Sequence, residues 1–367
     1  MASNDSVKIA FVWSDIRRPI GGAEYFLLDV LSNVKTIFTA VNSKIEIAVY
    51  NIDQGLSLIE ELNNYDAVVL NSLNRALALI PFIKVPTLID VHSPDWLWYF
   101  REEKLGIKPR PETKLKRLAL KLLGKKLYCR VLNKFDYKIF GKICREAFLI
   151  PNFVDTEVFR PIAPKADEFT VLVRYDETLK GGFHIFLRAL KFLGKPRWLN
   201  IIVIGREPPP NVLETLNKLS NTVTILGRVP NRETLASVYS TAHATVIPSL
   251  YEGFPLTALG SLACGTPIIM AKLPPTDWYT KEITAVEPGT GLTFRPSDSL
   301  GLAKRLRTMY EIWLQYRDIY NKSIITSREI SLKFDIRIVL PIYFEMILNF
   351  AGIVRLRSLN SPLDSYN

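Results

Sequence analysis

The residues best suited to chemistry lie between Tyr239 and Pro267, in the segment YSTAHATVIPSLYEGFPLTALGSLACGTP. Within it an apolar run ends at Pro248, and a turn that contains Glu252 and Pro255 follows. Pro255 suits the first turn of a helix, where its missing amide hydrogen is not needed. The free backbone N–H groups of such a turn bind phosphate, and Glu252 just outside it could accept hydrogen bonds from sugar hydroxyls. The alternative is that Glu252 only caps the helix.

Two cationic residues, Arg174 and Lys180, follow a second apolar run at 170–173. Arg presents a planar fork to phosphate oxygens and Lys a point charge, a common pairing at phosphate sites. When a diphosphate is the leaving group, fixed cations beside it stabilise the transition state more than the ground state. The alternative is that either residue is a solvated surface charge.

Further candidates lie in the N-terminal half. Gly21 and Gly22 follow the apolar run at 7–13, and glycines let the backbone approach a ligand closely. Alternatively, the two glycines only form the turn between a strand and a helix. His92 follows the run PTLIDV at 86–91, so we expect it at the end of a strand, where ligands of such sheets bind. Otherwise His92 is structural.

Short apolar runs, alternating with helical stretches, are the elements that must position these residues. They form two series, one at 7–13, 45–50, 67–70 and 86–91, the other at 170–173, 199–204, 223–226, 244–247 and 267–270. This alternation predicts two α/β domains, each a doubly wound parallel sheet covered by helices on both faces. Ligands bind such sheets beyond the carboxyl ends of the strands, and the candidate residues follow strand runs.

A proline-rich segment at 151–165 marks the predicted domain boundary, because its prolines break any regular element. We expect an N-terminal domain at 1–150, a C-terminal domain at 151–334, and a helical segment at 335–367 that crosses back to the first domain. The apolar stretch at 338–354 contains Pro341 and Glu345. We interpret it as a packed terminal helix and not as a membrane-inserted segment.

Composition narrows the class of protein. The 367 residues are 48% apolar and 23% charged, which excludes a disordered, collagenous or coiled-coil chain. The net charge of +11 indicates a negatively charged partner such as nucleic acid, a membrane surface or a phosphorylated substrate. Three cysteines without metal-binding spacing favour a reducing compartment over a disulfide scaffold. We expect no signal peptide, since the N-terminus lacks a basic and then apolar pattern.

The sequence lacks the motifs of several common enzyme classes. No G-x-G-x-x-G follows the first apolar run, and G-x-x-x-x-G-K-[ST], D-x-D, G-x-S-x-G and His/Cys ligand clusters do not occur. A nicotinamide or flavin enzyme and a P-loop NTPase are therefore not expected. A transfer that uses a helix N-terminus, Arg and Lys in place of a metal clamp agrees with these absences, so we expect neither a metal nor a cofactor.

In combination the motifs resemble glycosyltransferase family four, the retaining enzymes of the GT-B fold, in which two Rossmann-like doubly wound domains face a cleft. The stretch PSLYEGFPLTALGSLACGTPII is similar to the donor-site signature, and RYDETLKG at 174–181 to the phosphate-binding pair. The matches continue with PNFVDTEVFRP at 151–161 for the interdomain segment, VTILGRVP at 223–230 for the strand and loop near the nucleobase, and the glycine-rich loop at 21–24.

This resemblance implies an activity and assigns roles. The enzyme would move a hexose-type sugar, with retention, from a nucleotide-diphosphate donor to a lipid-linked or glycan acceptor. The leaving phosphate would help to deprotonate the acceptor at the front face of the sugar. Glu252, His92, Lys180 and Arg174 would be catalytic, with His92 facing the sugar from the N-terminal domain. The implied donor-binding residues are Gly21, Gly22, Arg174, Lys180, Arg228, Val229, Glu252, Gly253, Phe254, Pro255, Leu256 and Thr257.

One departure from the family pattern concerns Gly260. The family usually has a second glutamate eight residues after the first, and it holds the donor ribose; Gly260 stands at that position after Glu252. A hydrogen bond to a charged group contributes about 1.5–3 kcal/mol, so its loss would weaken donor binding about 10- to 100-fold. Thr257 and Ser261 lie nearby on the same predicted helix and could replace it in part. An altered donor, a tolerated loss and a weakened enzyme are the three interpretations.

Residues 114–145 concentrate the charge: they contain eleven Lys or Arg and one acid, and so carry +10 of the net +11. Leucines at 115, 118, 122 and 123 recur at helical spacing. A basic amphipathic helix is typical of a membrane-surface element; the alternative is a solvated helix whose leucines pack on the core. The predicted membrane- or acceptor-side residues are Lys114, Lys116, Arg117, Lys121, Lys125 and Lys126.

These observations predict a nucleotide sugar as substrate and an anionic membrane surface or lipid-linked acceptor as partner. Nucleic acid is not expected, since no recognition module is present. We expect a cytoplasmic protein, peripheral at the inner face of the membrane, and infer nothing about its oligomeric state. The competing hypotheses are a non-catalytic carbohydrate- or membrane-binding protein on the same fold, and a phosphorylase or sugar epimerase of GT-B architecture.

Overall fold

The computed structural model describes residues 6–14, 22–33, 45–71, 73–92, 111–273 and 280–353. The chain folds into two compact units, one formed by residues 1–153 and 337–367 and the other by residues 154–336. Each unit is built on a six-stranded parallel sheet. The predicted α/β class with two doubly wound units is therefore confirmed.

In the first unit four of the six strands correspond to the first series of apolar runs, and the fifth and sixth were not predicted. The strands are β1 (Val7–Trp13), β2 (Ile45–Asn51), β3 (Ala67–Leu70), β4 (Thr87–Val91), β5 (Tyr128–Val131) and β6 (Glu146–Leu149). They lie in the order β2-β1-β3-β4-β5-β6, and every adjacent pair is parallel. All residues of β3 and β4 are buried, as expected for central strands that are covered on both faces.

Helices connect these strands. They are α1 (Gly22–Ser32), α2 (Ile59–Leu62), α3 (Leu73–Ala76), α4 (Pro111–Leu123) and α5 (Lys134–Ile143), and short 3-10 turns occupy Ile52–Leu58 and Gly124–Lys126. Leu120 of α4 and Phe140 of α5 belong to the same apolar core cluster. Helices α4 and α5 form the successive crossovers from β4 to β5 and from β5 to β6, between neighbouring parallel strands. Because such crossovers are right-handed, the two helices lie side by side on one face of the sheet.

The second unit also has a parallel sheet, and the second series of apolar runs corresponds to five of its strands. Its strands are β7 (Thr170–Tyr175), β8 (Asn200–Gly205), β9 (Thr222–Gly227), β10 (Ala244–Ile247), β11 (Ile268–Ala271) and β12 (Gly291–Phe294). Their order is β12-β11-β10-β7-β8-β9, again with every pair parallel. From β7 the chain adds β8 and β9 on one side of the sheet, and it then adds β10, β11 and β12 on the other side. The adjacent strands β7 and β10 therefore form the topological switch point, where ligands of doubly wound sheets bind.

The described residues of the second unit contain six α-helices. They are α6 (Phe183–Leu193), α7 (Pro210–Leu219), α8 (Arg232–Thr241), α9 (Leu256–Ala263), α10 (Ser299–Gln315) and α11 (Arg317–Leu332). In α6 the side chains of Phe186, Ala189, Leu190 and Leu193 are buried, which is the 3.6-residue period of a helix that packs on a core. Gly194 ends this helix in the left-handed conformation with φ +68°, where glycine is favoured.

The final described helix is α12 (Ile336–Phe350), and it belongs to the first unit from Arg337 onward. Tyr343 and Ile347 are fully buried, and the Phe350 ring stacks on Tyr128 at 4.8 Å between centroids. This confirms the expectation of a packed terminal helix. Among the described residues, no helix combines the length and the apolar character that crossing a bilayer would need.

The cysteine expectation needs a correction. Cys129 of β5 and Cys144, directly after α5, form a disulfide, whereas Cys264 is free and buried. Both bridged cysteines are completely buried. Their pairing depends on the return of the chain from α5 to the side of β5, which the 15-residue separation in sequence does not reveal.

Candidate functional site

A cavity with about 280 Å³ of empty space opens at the carboxyl ends of β7 and β10. It is lined by Arg174, Asp176, Gly181, Val246, Ile247, Pro248, Ser249, Glu252 and Thr257. The structure thus brings together three of the predicted site residues, Arg174, Glu252 and Thr257, at the switch point of the second sheet. Parallel strands end at the same edge, so residues that follow two adjacent strands meet there.

Gly182 allows the two loops that carry these residues to touch. It has φ +70°, and a Cβ atom on it would lie 2.0 Å from the carbonyl oxygen of Pro248. Only glycine fits there. Beside this contact the backbone N–H of Leu250 donates to the carbonyl oxygen of Lys180 at 2.8 Å. The loop after β7 and the loop after β10 are therefore held in one arrangement.

Arg174 is fixed by a carboxylate that the sequence analysis did not single out. Its Nη2 lies 2.7 Å from Oδ2 of Asp176, and the two side chains are 42% and 24% exposed. The Arg174 stem also packs against Gly205, where a Cβ atom would lie 2.9 Å from Cγ of Arg174. Arg174 therefore reaches the cavity with its position set from two sides.

Asp176 also organises the turn that carries Lys180. Its Oδ1 accepts hydrogen bonds from the backbone N–H of Thr178 at 2.9 Å and from the Thr178 hydroxyl at 2.7 Å. The Thr178 hydroxyl in turn accepts from the N–H of Gly181 at 3.3 Å. Burial alone would raise the pKa of Asp176, but the Thr178 hydrogen bonds, Arg174 and Lys180 outweigh it and lower that pKa. Asp176 is accordingly ionised at neutral pH.

Lys180 lies in a short 3-10 turn, Leu179–Gly181, between β7 and α6. Its Nζ lies 5.7 Å from the centroid of the Tyr251 ring, a cation–π distance. Lys180 does not line the cavity itself, although its neighbour Gly181 does. Of the predicted Arg–Lys pair, Arg174 near the end of β7 lies at the cavity wall, and Lys180 lies in the turn that follows.

Glu252 is the second carboxylate that lines the cavity. The Ser249 hydroxyl donates to its Oε1 at 2.7 Å, which orients the side chain. Helix α9 begins four residues later at Leu256, with Pro255 as its N-cap residue, one position earlier than the first helical turn that we predicted. The first N–H groups of a helix have no acceptor within it, and Thr257 of this first turn lines the cavity.

The other predicted residues of this turn, at 253–256, do not line the cavity. Gly253, Phe254 and Pro255 are buried, and the Phe254 ring lies 5.3 Å from the ring of Phe334. Leu256 is half-buried. These contacts anchor the turn and leave Glu252 and Thr257 as its members at the cavity.

Gly260 packs directly against Tyr239 of α8. A Cβ atom on Gly260 would lie 3.0 Å from Cε2 of the Tyr239 ring, and both residues are buried. Burial raises the pKa of the Tyr239 phenol above its usual value, and a hydrogen bond with Thr257 opposes this in part. The space that a longer side chain at 260 would enter is therefore filled by Tyr239, a contact that sequence reasoning missed.

Two predicted donor-binding residues of the second unit lie in the loop after β9 and not at this cavity. Arg228 is exposed and Val229 half-buried in the loop after β9, the edge strand, and neither lines the cavity. In the first unit Gly22 is the first residue of α1. Gly21 lies outside the described residues.

His92 lies at the end of β4 in an aromatic and charged setting. Its ring packs edge-on against Phe26 at 4.8 Å and Trp13 at 5.7 Å between centroids. Nε2 lies 3.2 Å from Oδ1 of Asp90, and only 8% of the His92 side chain is exposed. The imidazole is therefore held in place from several sides.

Asp90 joins His92 to a buried network. Nη1 of Arg130 contacts Oδ1 of Asp90 at 2.8 Å, and the Tyr343 hydroxyl donates to Oδ2 at 2.9 Å. Arg130 also donates to the carbonyl oxygens of Ile150 and Pro151, at 3.0 and 2.6 Å. Burial alone would raise the pKa of Asp90, but Arg130, with His92 and Tyr343, lowers it well below its usual range. A buried charge that is paired in this way is costly to break.

The predicted membrane-side residues that are described, on α4 and on the 3-10 turn Gly124–Lys126 after it, are partly or fully at the surface. Lys116 and Arg117 are half-buried, and Lys121, Lys125 and Lys126 are exposed; the side chain of Lys114 lies outside the described part of the structure. The helix contacts the core through Leu120, which is 2% exposed, and through the half-buried Leu123. The alternative interpretation, in which the leucines of this helix pack on the core, does not hold for Leu115, Leu118 and Leu122, which are exposed.

In the described ranges, no group of three or more His, Cys, Asp or Glu side chains is arranged to hold a metal ion. The polar residues of the cavity are instead one cation, two carboxylates and hydroxyls. This set can bind a polyhydroxylated group and a phosphorylated one.

The family model described as Glycosyl transferases group 1 matches residues 169–311, which include β7, β10, α9 and every residue of the cavity. Residues 169–311 form a glycosyl transferases group 1 domain. The predicted family resemblance is therefore confirmed for this domain. The match begins one residue before β7 and ends within α10.

Curated relatives match over a limited stretch. The chain is 30% identical over 128 residues to the MMP alpha-(1->4)-mannosyltransferase of Mycolicibacterium hassiacum, which is 34% of this chain and 31% of that protein. It is also 30% identical over 148 residues to the D-inositol 3-phosphate glycosyltransferase of Nocardiopsis dassonvillei, 34% of each chain. The chain thus spans about a third of the length of the curated relatives that it matches.

Solved structures resemble almost the whole chain. Sucrose-phosphate synthase from Thermosynechococcus elongatus has a TM-score of 0.74 at 18% identity, covering 94% of this chain and 100% of that one. HepE of Anabaena in complex with UDP-glucose has a TM-score of 0.69 at 17% identity, covering 92% and 99%. At this identity the likeness concerns the fold, and it confirms the predicted GT-B fold around the group 1 domain.

Proposed function

We propose that the protein is a retaining glycosyltransferase that moves a hexose-type sugar from a nucleotide-diphosphate donor to a lipid-linked or glycan acceptor. The observation that carries this is the meeting of Arg174, Glu252 and Thr257 in one cavity at the switch point of a group 1 domain. The structure of HepE was solved with UDP-glucose bound, which supports a nucleotide sugar as the donor.

The donor diphosphate would lie against Arg174 and the start of α9, with Lys180 adding positive charge from the same turn. As the bond to the sugar breaks, negative charge builds on the diphosphate. Cations and backbone N–H groups that are already in position stabilise this charge without reorganising, which lowers the barrier. In this proposal Arg174, Lys180 and the first turn of α9 take the role of a metal clamp, and no metal is needed.

Glu252 would accept hydrogen bonds from the hydroxyls of the transferred sugar. Its place in the same cavity as Arg174 and its hydrogen bond from Ser249 support this role, because a carboxylate held in one orientation selects the sugar that matches it. His92, which Asp90 contacts, would act from the first unit. Gly21 and Gly22, with Arg228 and Val229, complete the proposed donor contacts.

We infer retention for the transfer, by a front-face route in which the leaving phosphate helps to deprotonate the acceptor. The cavity supports this in one respect: its carboxylates, Asp176 and Glu252, are already engaged with Arg174, Thr178 and Ser249. Neither is therefore placed as an obvious nucleophile for a covalent intermediate. The acceptor would be met at an anionic membrane surface on the cytoplasmic side, as the basic charge of residues 114–145 suggests.

A second candidate function is a non-catalytic carbohydrate- or membrane-binding protein on the same fold. The contact between Gly260 and Tyr239 favours it, because no carboxylate at 260 is available to a donor ribose. A thermal-shift screen of uridine, guanosine and adenosine diphosphate sugars, followed by detection of the glycosylated product, tests the two against each other. Stabilisation by one donor and its turnover support the transferase. Binding of free sugar or vesicles without any nucleotide sugar would support the alternative.

A further inference from the structure

We propose that the outer side of α4 and α5 is a docking surface for an anionic lipid bilayer, with a row of leucines entering the interface and lysines contacting the lipid headgroups. The docking itself is argued from the first unit alone. What docking would achieve, delivery of a lipid-linked acceptor, rests on the proposed function.

A row of leucines on α4 is the first observation. Leu115, Leu118 and Leu122 are 70%, 53% and 71% exposed, and their spacing of three and four residues places them on one side of the helix. Single exposed leucines are common on soluble proteins, but several that line up on one face mark an interaction site. The opposite side of α4 is already used, since Leu120 is 2% exposed and lies in the core cluster.

The neighbouring helix extends the same surface. On α5, Phe135 is 36% exposed, and Lys138 and Lys142, three and seven residues further along, are exposed. Phe140 faces the core in the cluster that also holds Leu120 of α4. Because the two helices lie side by side with their inner faces on one sheet, their outer faces are neighbours. The exposed residues of both helices therefore form one surface.

Charge identifies the kind of partner. Lys121, Lys125 and Lys126 are exposed around the leucine row, whereas the acid of residues 114–145, Asp136, is completely buried. Asn133 donates to the Asp136 carboxylate at 2.8 Å and accepts from its backbone N–H at 2.9 Å, so Asp136 belongs to the start of α5. Residues 115–145 thus expose lysines without an exposed carboxylate among them, which complements an anionic surface.

One basic residue of this segment does not contribute. Arg130 is completely buried and contacts Asp90, so it adds no charge to this surface. The remaining pattern, apolar side chains flanked by lysines, suits a bilayer better than a nucleic acid. Phosphates of either attract lysines, but only the lipid interface buries leucines favourably.

Flotation with vesicles tests the proposal. The full chain is mixed with vesicles of phosphatidylcholine alone or with about 30% phosphatidylglycerol, and the floated fraction is measured at low and high salt. We expect flotation with the anionic vesicles and its loss at high salt. The triple variants Leu115→Ser/Leu118→Ser/Leu122→Ser and Lys121→Glu/Lys125→Glu/Lys126→Glu should each lower the partition coefficient at least about tenfold.

A control places substitutions of the same kind, at fewer positions, in the second unit. Leu314 and Ile325 are 50% and 60% exposed, and Lys322 is exposed, so Leu314→Ser/Ile325→Ser and Lys322→Glu should float like the wild type. Thermal unfolding of each variant verifies that it is folded. No flotation of the folded wild type with anionic vesicles, or equal flotation of wild type and both triple variants, would overturn the proposal. So would tighter binding to a short DNA or RNA duplex than to vesicles.

Nucleotide-sugar binding, measured on the same proteins by thermal shift, separates this proposal from the proposed function. Flotation without nucleotide-sugar binding supports the docking surface and contradicts the transferase. Nucleotide-sugar binding without flotation contradicts the docking surface only.

Discussion

Arg174 and Asp176 form an ion pair at the carboxyl end of β7, with 2.7 Å between Nη2 and Oδ2. The carboxylate that holds Arg174 also accepts two hydrogen bonds from Thr178, and Thr178 begins the turn that carries Lys180. One anion therefore positions both cations that we assign to the donor diphosphate. A negative charge beside a phosphate site opposes binding, so its presence indicates that orientation matters here more than net charge.

Changing Asp176 to Asn tests this positioning role. The amide keeps the size of the side chain but removes the charge that orients Arg174, so we expect kcat to fall about 10- to 100-fold, the loss of one charged hydrogen bond. The affinity for the nucleoside diphosphate should stay equal or increase, because a repulsive charge is gone. Steady-state kinetics and calorimetry measure the two effects separately. Glu177→Gln is the matched control, since Glu177 pairs with Arg206 outside the cavity; similar kinetics for both variants would contradict the role of Asp176.

Glu252→Gln tests the sugar contact. We expect transfer to fall at least about 100-fold, while the binding of the nucleoside diphosphate without a sugar changes less than about threefold, because Glu252 is assigned to the sugar alone. Ser249→Ala should lower transfer less, about tenfold, since it removes only the 2.7 Å hydrogen bond that orients Glu252. Progress curves with the donor found in the screen measure both. Equal losses of sugar-free and sugar-bound nucleotide affinity would contradict the assignment.

Gly260→Glu should destabilise the protein without improving nucleotide affinity. The new side chain would start 3.0 Å from the buried Tyr239 ring and bring a charge into the protein, which we expect to cost about 2–4 kcal/mol. Urea unfolding measures the loss. The double variant with Tyr239→Ala makes room, so the two changes should be non-additive by about 1 kcal/mol or more. Additive losses would show that Tyr239 does not occupy that space.

The stability of the second unit should depend on pH through His243. Burial, with smaller contributions from Lys165 and Arg317, lowers the pKa of His243 from 6.5 to about 3, and Nδ1 accepts the N–H of Thr170 at 3.0 Å. The unfolded chain therefore takes up a proton near pH 6.5, whereas the native chain does not until about pH 3. Stability should fall as the pH falls through this range.

Unfolding by urea at several pH values measures this dependence. His243→Asn keeps an acceptor for Thr170 and cannot titrate, so its stability should decline less between pH 6 and 4 than that of the wild type. A parallel decline in the two proteins would show that His243 is not the responsible group.

Much of the fold follows from local patterns in the sequence. Five of the six strands of the second sheet correspond to a predicted apolar run, whereas β12 (Gly291–Phe294) was not predicted; the alternation with helices favours parallel pairing. Arg174 and Glu252 were expected at one edge because each follows a strand. That β7 and β10 are neighbours is a property of the strand order, which the sequence pattern alone does not determine.

The contacts that were missed are those between elements. In the sequence Asp176 is an ordinary acidic residue of a loop, and only the structure shows its pairing with Arg174. Tyr239 is in the same way expected only to be a core residue of α8, and the structure shows that its ring packs against Gly260. Leu118 and Leu120 both fit a helical apolar pattern, but only the packing of α4 decides which of them is covered. Helical periodicity predicts which residues share one face of a helix, but not what that face packs against.

The central claim is that the cavity between β7 and β10 binds a nucleotide-sugar donor through Arg174. Calorimetric titration of the wild type and of Arg174→Ala with a panel of nucleoside diphosphate sugars tests it most directly. We predict that at least one donor binds the wild type and that Arg174→Ala weakens that binding at least about tenfold. If none binds the folded wild type, or if the donor binds both proteins equally, the assignment of this cavity is wrong.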